Sequence, residues 1–118
     1  MSGDFQTSVM FWNNGNGTFT EDTLGDVGLG LDENGMGVAV ADVDGDMRLD
    51  LFVSGIYADH ETGPSRDPTS PFGSRGNVLY RNMGNRVFQE VKHSGLEDGG
   101  WAWGSVFLDA NNDADLEL

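Results

Sequence analysis

Two stretches of this chain are copies of one another, so the fold has to be one built by repetition. Trp12-Asn13-Asn14-Gly15-Asn16-Gly17-Thr18-Phe19-Thr20-Glu21 matches Arg81-Asn82-Met83-Gly84-Asn85-Arg86-Val87-Phe88-Gln89-Glu90 at an offset of 69 residues. Gly28-Leu29 then answers to Gly95-Leu96, and Asp42 to Asp109, at an offset of 67. A repeating unit of this size with several strands predicts a propeller or an array rather than a closed single domain.

Within one unit the pattern predicts four strands, over residues 36–42, 49–56, 77–81 and 87–92. The apolar runs are short, rich in small and β-branched residues, and bounded by turn residues, as buried strands are. Asn82-Met83-Gly84-Asn85 turns the third strand into the fourth, as Asn13-Asn14-Gly15-Asn16-Gly17 does in the earlier copy. Asn-Gly is the strongest short hairpin signal, because both residues accept a positive φ. Four antiparallel strands make a propeller blade. The predicted fold class is therefore all-β, with antiparallel four-stranded blades amounting to about two blade equivalents.

The expected organisation is a flexible N-terminus at 1–8, the second half of a blade at 9–35, a complete blade at 36–95, and the first half of the next at 96–118. Residues 58–76 interrupt the complete blade. They hold all three prolines and no periodicity, which predicts a long surface loop. The strands expected in the partial blades lie at 9–12 and 18–23, and at 103–109 and 115–118.

The chemistry concentrates between the first two strands of the unit. Asp42, Asp44, Asp46 and Asp50 occupy the first, third, fifth and ninth positions of one tight loop. Four like charges so close repel unless something neutralises them. A hard cation taking about six to eight oxygens at ~2.3–2.6 Å does so, and Ca²⁺ suits such a loop better than Mg²⁺, which keeps its water. The carbonyl of Arg48, at position seven, is the expected backbone ligand. The loop is no EF-hand, since position twelve is Val53 inside an alternating strand rather than a bidentate Glu before a helix. The competing account is an Asp-rich turn whose side chains bond only their own backbone.

The second copy carries the same pattern. Asp109, Asn111, Asp113 and Glu117 fill the four ligand positions, and Asp115 stands where Arg48 does. Position six, where a calcium loop favours glycine, is Met47 in one loop and Ala114 in the other. Backbone strain or weak occupancy is the expected consequence.

The net charge of −14, from 20 acidic and 6 basic residues, excludes nucleic acid and anionic lipid as partners. No apolar run approaches the ~18 residues of a membrane span, so membrane insertion is excluded as well. There is no cysteine, hence no disulfide. The first residues do not resemble a signal peptide. Weak calcium sites suit the millimolar calcium outside cells, so an extracellular or cell-surface location is expected, with any export signal lying outside this chain.

Other residues are candidates for chemistry on weaker grounds. Trp101, Trp103 and Phe107 alternate onto one strand face, where aromatics can stack on a sugar ring but more often fill a core. Phe11, Trp12, Phe19, Tyr80 and Phe88 are expected in the core for the same reason. His60, in Asp59-His60-Glu61 beside Ser54 and Ser65, forms a loose acid–base cluster that reads better as solvated charge. His93 is assigned nothing. Asn16-Gly17-Thr18 fits the N-glycosylation acceptor pattern.

Gly37-Val38-Ala39-Val40-Ala41-Asp42-Val43-Asp44-Gly45-Asp46, followed by Leu49-Asp50-Leu51-Phe52-Val53, resembles an FG-GAP/VCBS repeat. Leu79-Tyr80-Arg81-Asn82 with Phe88, and Trp101-Ala102-Trp103-Gly104 before Asp109, resemble the cartilage-acidic-protein-like branch of that family. The resemblance covers nearly all of residues 9–118 apart from the 58–76 loop. It implies a calcium-loaded β-propeller, secreted or on the cell surface, that acts in adhesion or as a binding scaffold. It carries ligand roles onto Asp42, Asp44, Asp46 and Asp50, and onto Asp109, Asn111, Asp113 and Glu117.

Two functions from different classes follow. The first is a non-enzymatic calcium-binding propeller module for adhesion, ligand binding or scaffolding, with a protein or carbohydrate ligand on the loop faces. The second is part of a propeller-type polysaccharide-processing enzyme, for which only Asp59-His60-Glu61 offers the convergent acid and base. The half-blades at the two ends are complementary, and an unpaired sheet edge is a template for another chain. A homo-oligomeric ring is therefore an expected assembly, three copies giving six blades and four giving eight. A fragment of a longer propeller accounts for the same ends.

Overall fold

The computed structural model describes residues 8–22, 25–30, 34–57 and 75–118. Among them are six strands and no helix, and every strand pairing is antiparallel. β1 (Met10–Asn13) and β2 (Phe19–Asp22) form a two-stranded sheet. β3 (Gly37–Ala41), β4 (Asp50–Ser54), β5 (Val78–Gly84) and β6 (Val87–Glu90) form a four-stranded sheet in chain order. That meander, each strand beside the one before it, is the arrangement of a single propeller blade.

The registers follow from the turns. β3 meets β4 from Gly37 opposite Ser54 to Ala41 opposite Asp50, so the whole acidic loop hangs from that last pair. β5 turns into β6 with a shift between Asn82 and Gly84, where Gly84 takes a φ of 80°. A residue with a side chain pays a steric cost there that glycine does not. Beyond the named strands, Tyr57 bridges Arg75 and the Gly76 N–H donates to the Ile56 carbonyl at 3.0 Å. Residues 75 and 76 therefore prolong the sheet instead of ending a loop. The rest of the expected 58–76 loop, and residues 1–7, lie outside the described residues.

The core sits where the two sheets meet. Val53, Val78, Tyr80 and Phe88 are its buried cluster, and Met10, Trp12, Leu29 and Leu51 pack against it. Trp12 stacks on Phe88 with ring centroids 6.4 Å apart, and Arg86 lies over the Trp12 ring. Successive residues on a strand point to opposite faces, so Phe52, beside Val53, faces the other way. There it meets Phe107 edge-on at 6.2 Å. The four-stranded sheet thus lies between the N-terminal strand pair on one face and the C-terminal segment on the other.

Tyr80 and Phe88 are buried as expected, but several other aromatics are not. Phe11 and Phe19 are exposed. Both stand on the outer face of the β1–β2 sheet, since Met10 and Trp12 occupy the inner one. Trp101 and Trp103 are 60% and 68% exposed. The strands expected at 103–109 and 115–118 do not form, and the pairing reduces to one bridge between Leu108 and Glu117. Trp101 makes only an isolated bridge to Ile56. Without a ladder on that segment, no second sheet among the described residues covers the two indoles. No helix among the described residues is long and apolar enough to cross a membrane.

Candidate metal centre

The acidic loop between β3 and β4 is held by its own carboxylates. Asp42 Oδ1 accepts from the N–H groups of Gly45 at 2.8 Å and Asp46 at 3.0 Å, and its Oδ2 from Met47 at 2.7 Å. Asp44 Oδ1 accepts from Asp46 N–H at 3.2 Å, and Asp46 Oδ1 from Arg48 N–H at 2.9 Å. These are the side-chain-to-backbone bonds that give Asp its preference for turns. They curl the loop so that its carboxylates converge.

Asp42, Asp44 and Asp50 each offer an oxygen, and the three lie within 4.8 Å of one another. Asp50 is fully buried. Its Oδ2 accepts from Val43 N–H at 3.1 Å and its Oδ1 from Asn82 N–H at 2.7 Å. A carboxylate has about four acceptor positions, so Asp42 and Asp50 both keep capacity after these bonds. Three unit charges this close repel by several kcal/mol at the effective dielectric of a protein surface, ~4 kcal/mol per pair at 4 Å. A set of hard oxygens with spare lone pairs fits an alkaline-earth cation.

Asp46, the remaining carboxylate of this loop, stands outside that cluster and forms an ion pair with the Arg48 guanidinium, while Asp44, inside it, pairs with Arg81 as well. Arg48 Nε donates to the Asn82 carbonyl at 2.8 Å, and Asn82 Nδ2 donates to the Leu49 carbonyl at 3.0 Å. Arg81 and Asn82 escaped the ligand pattern, because it scans only the loop. The recurrence of Asn82 as Asn13 was the available signal for one of them. Arg81 answers to Trp12 and had none.

The second loop repeats most of the side-chain-to-backbone bonds of the first. Asp109 accepts from Asp113 N–H at 3.1 Å and Ala114 N–H at 3.0 Å, as Asp42 does from Asp46 and Met47. Asn111 Oδ1 accepts from Asp113 N–H at 3.0 Å, Asp113 Oδ1 from Asp115 N–H at 2.9 Å, and Glu117 Oε2 from Ala110 N–H at 2.7 Å. Positive φ recurs at position four, in Gly45 (76°) and Asn112 (63°), and at position six, in Met47 (66°) and Ala114 (73°). Position six therefore adopts the glycine-like backbone in both loops without a glycine, as strained as expected. Asn111 takes the place of Asp44, so the second loop has one charge fewer among its ligand positions.

Residues 1–53 match the family model of the FG-GAP-like repeat. The matched segment ends inside β4 and contains Asp42, Asp44, Asp46 and Asp50. The FG-GAP-like match and the all-β antiparallel structure agree in fold type. No curated protein and no solved structure matches the chain. Of the loose acid–base cluster, Ser54 is buried on β4, and residues 59–61 and 65 lie outside the described residues.

Proposed function

We propose that the chain is a non-enzymatic calcium-binding β-propeller repeat module that serves adhesion, ligand binding or scaffolding outside the cell. The observation that carries this is the convergence of Asp42, Asp44 and Asp50 within 4.8 Å, one of them buried. Calcium would tie the β3–β4 turn to β5 through Asp50, which Asn82 already holds. The second loop, with the same backbone and one charge fewer, would bind more weakly. The FG-GAP-like match and the extracellular supply of calcium support the location, and Leu79-Tyr80-Arg81-Asn82 supports the cartilage-acidic-protein-like branch. A protein or carbohydrate ligand would meet the loop faces.

Calcium titration by calorimetry tests this reading. Saturable heat that is reduced in Asp44→Ala, and much smaller with Mg²⁺, is the expected result. No heat in millimolar calcium, or equal heats for the variant, would overturn it.

A further inference from the structure

The basic side chains among the described residues fall into two groups. Arg48 and Arg81 pair with carboxylates of the acidic loop, and Arg86 lies over the Trp12 ring. The others, Arg75 and Lys92, line one cleft of about 350 Å³ together with His93. That cleft opens at the start of β5, whereas Arg81 and Asn82, further along the strand, meet the acidic loop. The two places are therefore separate.

The chain builds the cleft by doubling back after β6. Val91 N–H still donates to the Leu79 carbonyl at 2.8 Å, which extends the ladder by one residue. His93 then takes a φ of 57°, a left-handed conformation that histidine adopts more readily than most side chains. The segment returns so that the Glu97 carbonyl accepts from Asn77 N–H at 3.0 Å. Gly76 permits that return, since a Cβ there would collide with the Glu97 carbonyl oxygen.

The polar groups of the cleft are unevenly engaged. Glu97 accepts from the Ser94 N–H and hydroxyl, and the Asn77 carboxamide is taken up by Gly55 N–H and the Leu96 carbonyl. Arg75 donates to Glu90 Oε1 at 2.7 Å. A carboxylate has about four acceptor positions, so Glu90 keeps capacity beside Arg75. Among the described residues, neither the Lys92 ammonium nor the His93 imidazole meets an acceptor. Donors without an acceptor on one wall, and a carboxylate with spare capacity on the other, suit a ligand that carries both a carboxylate and hydroxyl groups. An ammonium in place of the hydroxyls would meet the Arg75 guanidinium, which already neutralises Glu90. Of the lining residues Val78 alone is apolar, and it is buried in the core, so an apolar ligand finds no partner. The net charge of −14 repels a polyanion. A single carboxylate is screened from most of that charge beyond a Debye length, ~8 Å at physiological salt. The cleft lies near the lower end of the roughly 300–1,000 Å³ of small-molecule sites. We propose that it binds one uronic-acid sugar, with the carboxylate on Lys92 and His93 and the hydroxyls on Glu90. That assignment rests on the reading of the chain as a ligand-binding module and names the ligand class.

Titration of the whole chain with glucuronate, followed by amide NMR, tests the site. Saturable shifts at residues 75–78 and 90–97 are expected, with smaller ones for glucose, acetate and free alanine. Lys92→Gln should weaken binding about tenfold, as the loss of one hydrogen bond from a charged group does. Lys92 is exposed, so the variant should keep its strand content by circular dichroism. His93→Asn, which retains a residue tolerant of the left-handed turn, should also weaken binding. Shifts that never saturate, an equal response to acetate or alanine, or undiminished binding in both variants would overturn the proposal. Calcium calorimetry on the same sample separates the two readings. Calcium heats without glucuronate shifts sink this site and leave the metal centre standing, and glucuronate shifts without calcium heats do the reverse.

Discussion

The main-chain N–H of Asn82 donates to Oδ1 of Asp50 at 2.7 Å, across 32 residues of sequence. The bond joins the end of the acidic loop to the hairpin of the next strand pair. Asp50 is thus a strand residue, a turn anchor and a candidate ligand at once. A fully buried carboxylate persists because its lone pairs are met by N–H groups.

Replacing Asp50 by alanine should therefore be costly even without metal. Two N–H groups, on Val43 and Asn82, lose their acceptor. The expected loss is about 2 kcal/mol of unfolding free energy, read as a lower urea midpoint with little change in slope. Asp50→Asn, which keeps one acceptor, should fall between. A variant as stable as the parent would show that the clamp contributes nothing.

Calcium should raise the melting temperature. A ligand bound only by the folded state at a hundredfold its dissociation constant adds about 2.7 kcal/mol. Melting in chelator should therefore occur several degrees lower than in millimolar calcium, with Mg²⁺ restoring less. Identical melts in chelator and calcium would argue against the metal centre.

Met47→Gly should stabilise the chain. Met47 holds a φ of 66° with its side chain 93% exposed, so the substitution removes strain and loses almost no packing. The gain expected from the left-handed backbone alone is about 1 kcal/mol. Ala114→Gly should act in the same direction. A decrease in stability for both would mean that the turn is not strained.

Glu97 gives the fold a predictable pH dependence. Its carboxylate is held below the usual glutamate range by a hydrogen bond from its own main-chain N–H, with partial desolvation opposing and bonds from Ser94 and Gly95 adding to the lowering. Ser94 N–H donates to Oε1 at 2.9 Å and the Ser94 hydroxyl at 3.2 Å. A folded-state pKa below the unfolded value contributes stability that is present above the unfolded pKa and lost as pH falls through the folded one. The stability gap between the parent and Glu97→Gln should thus be present at neutral pH and close on acidification below the ordinary glutamate pKa. A gap that widens in acid would reverse the sign.

The local elements were legible because their signals are local. The Asn-Gly turns, the apolar runs and the alternate aspartates each act over a few residues, and β1 to β6 form within a few positions of where those signals put them. The repeat likewise foretold that the second acidic loop would share the backbone of the first, down to the positive φ of Met47 and Ala114. Burial was less legible, since period two says that Trp101 and Trp103 share a face, and nothing in the pattern of Phe11 or Phe19 says whether a sheet covers them. Among the described residues all four are exposed. The roles of Arg81 and of Asn82, which only its recurrence as Asn13 marked, were hidden for another reason. The two residues reach Asp44 and Asp50 only once β5 has paired with β4, and no spacing rule connects residues more than 30 positions apart. The sequence alone determined the repeat, the spacing of the loop carboxylates and the strand order. The tertiary structure decided which carboxylate is buried and which aromatics stay wet, because both depend on what packs against each sheet face.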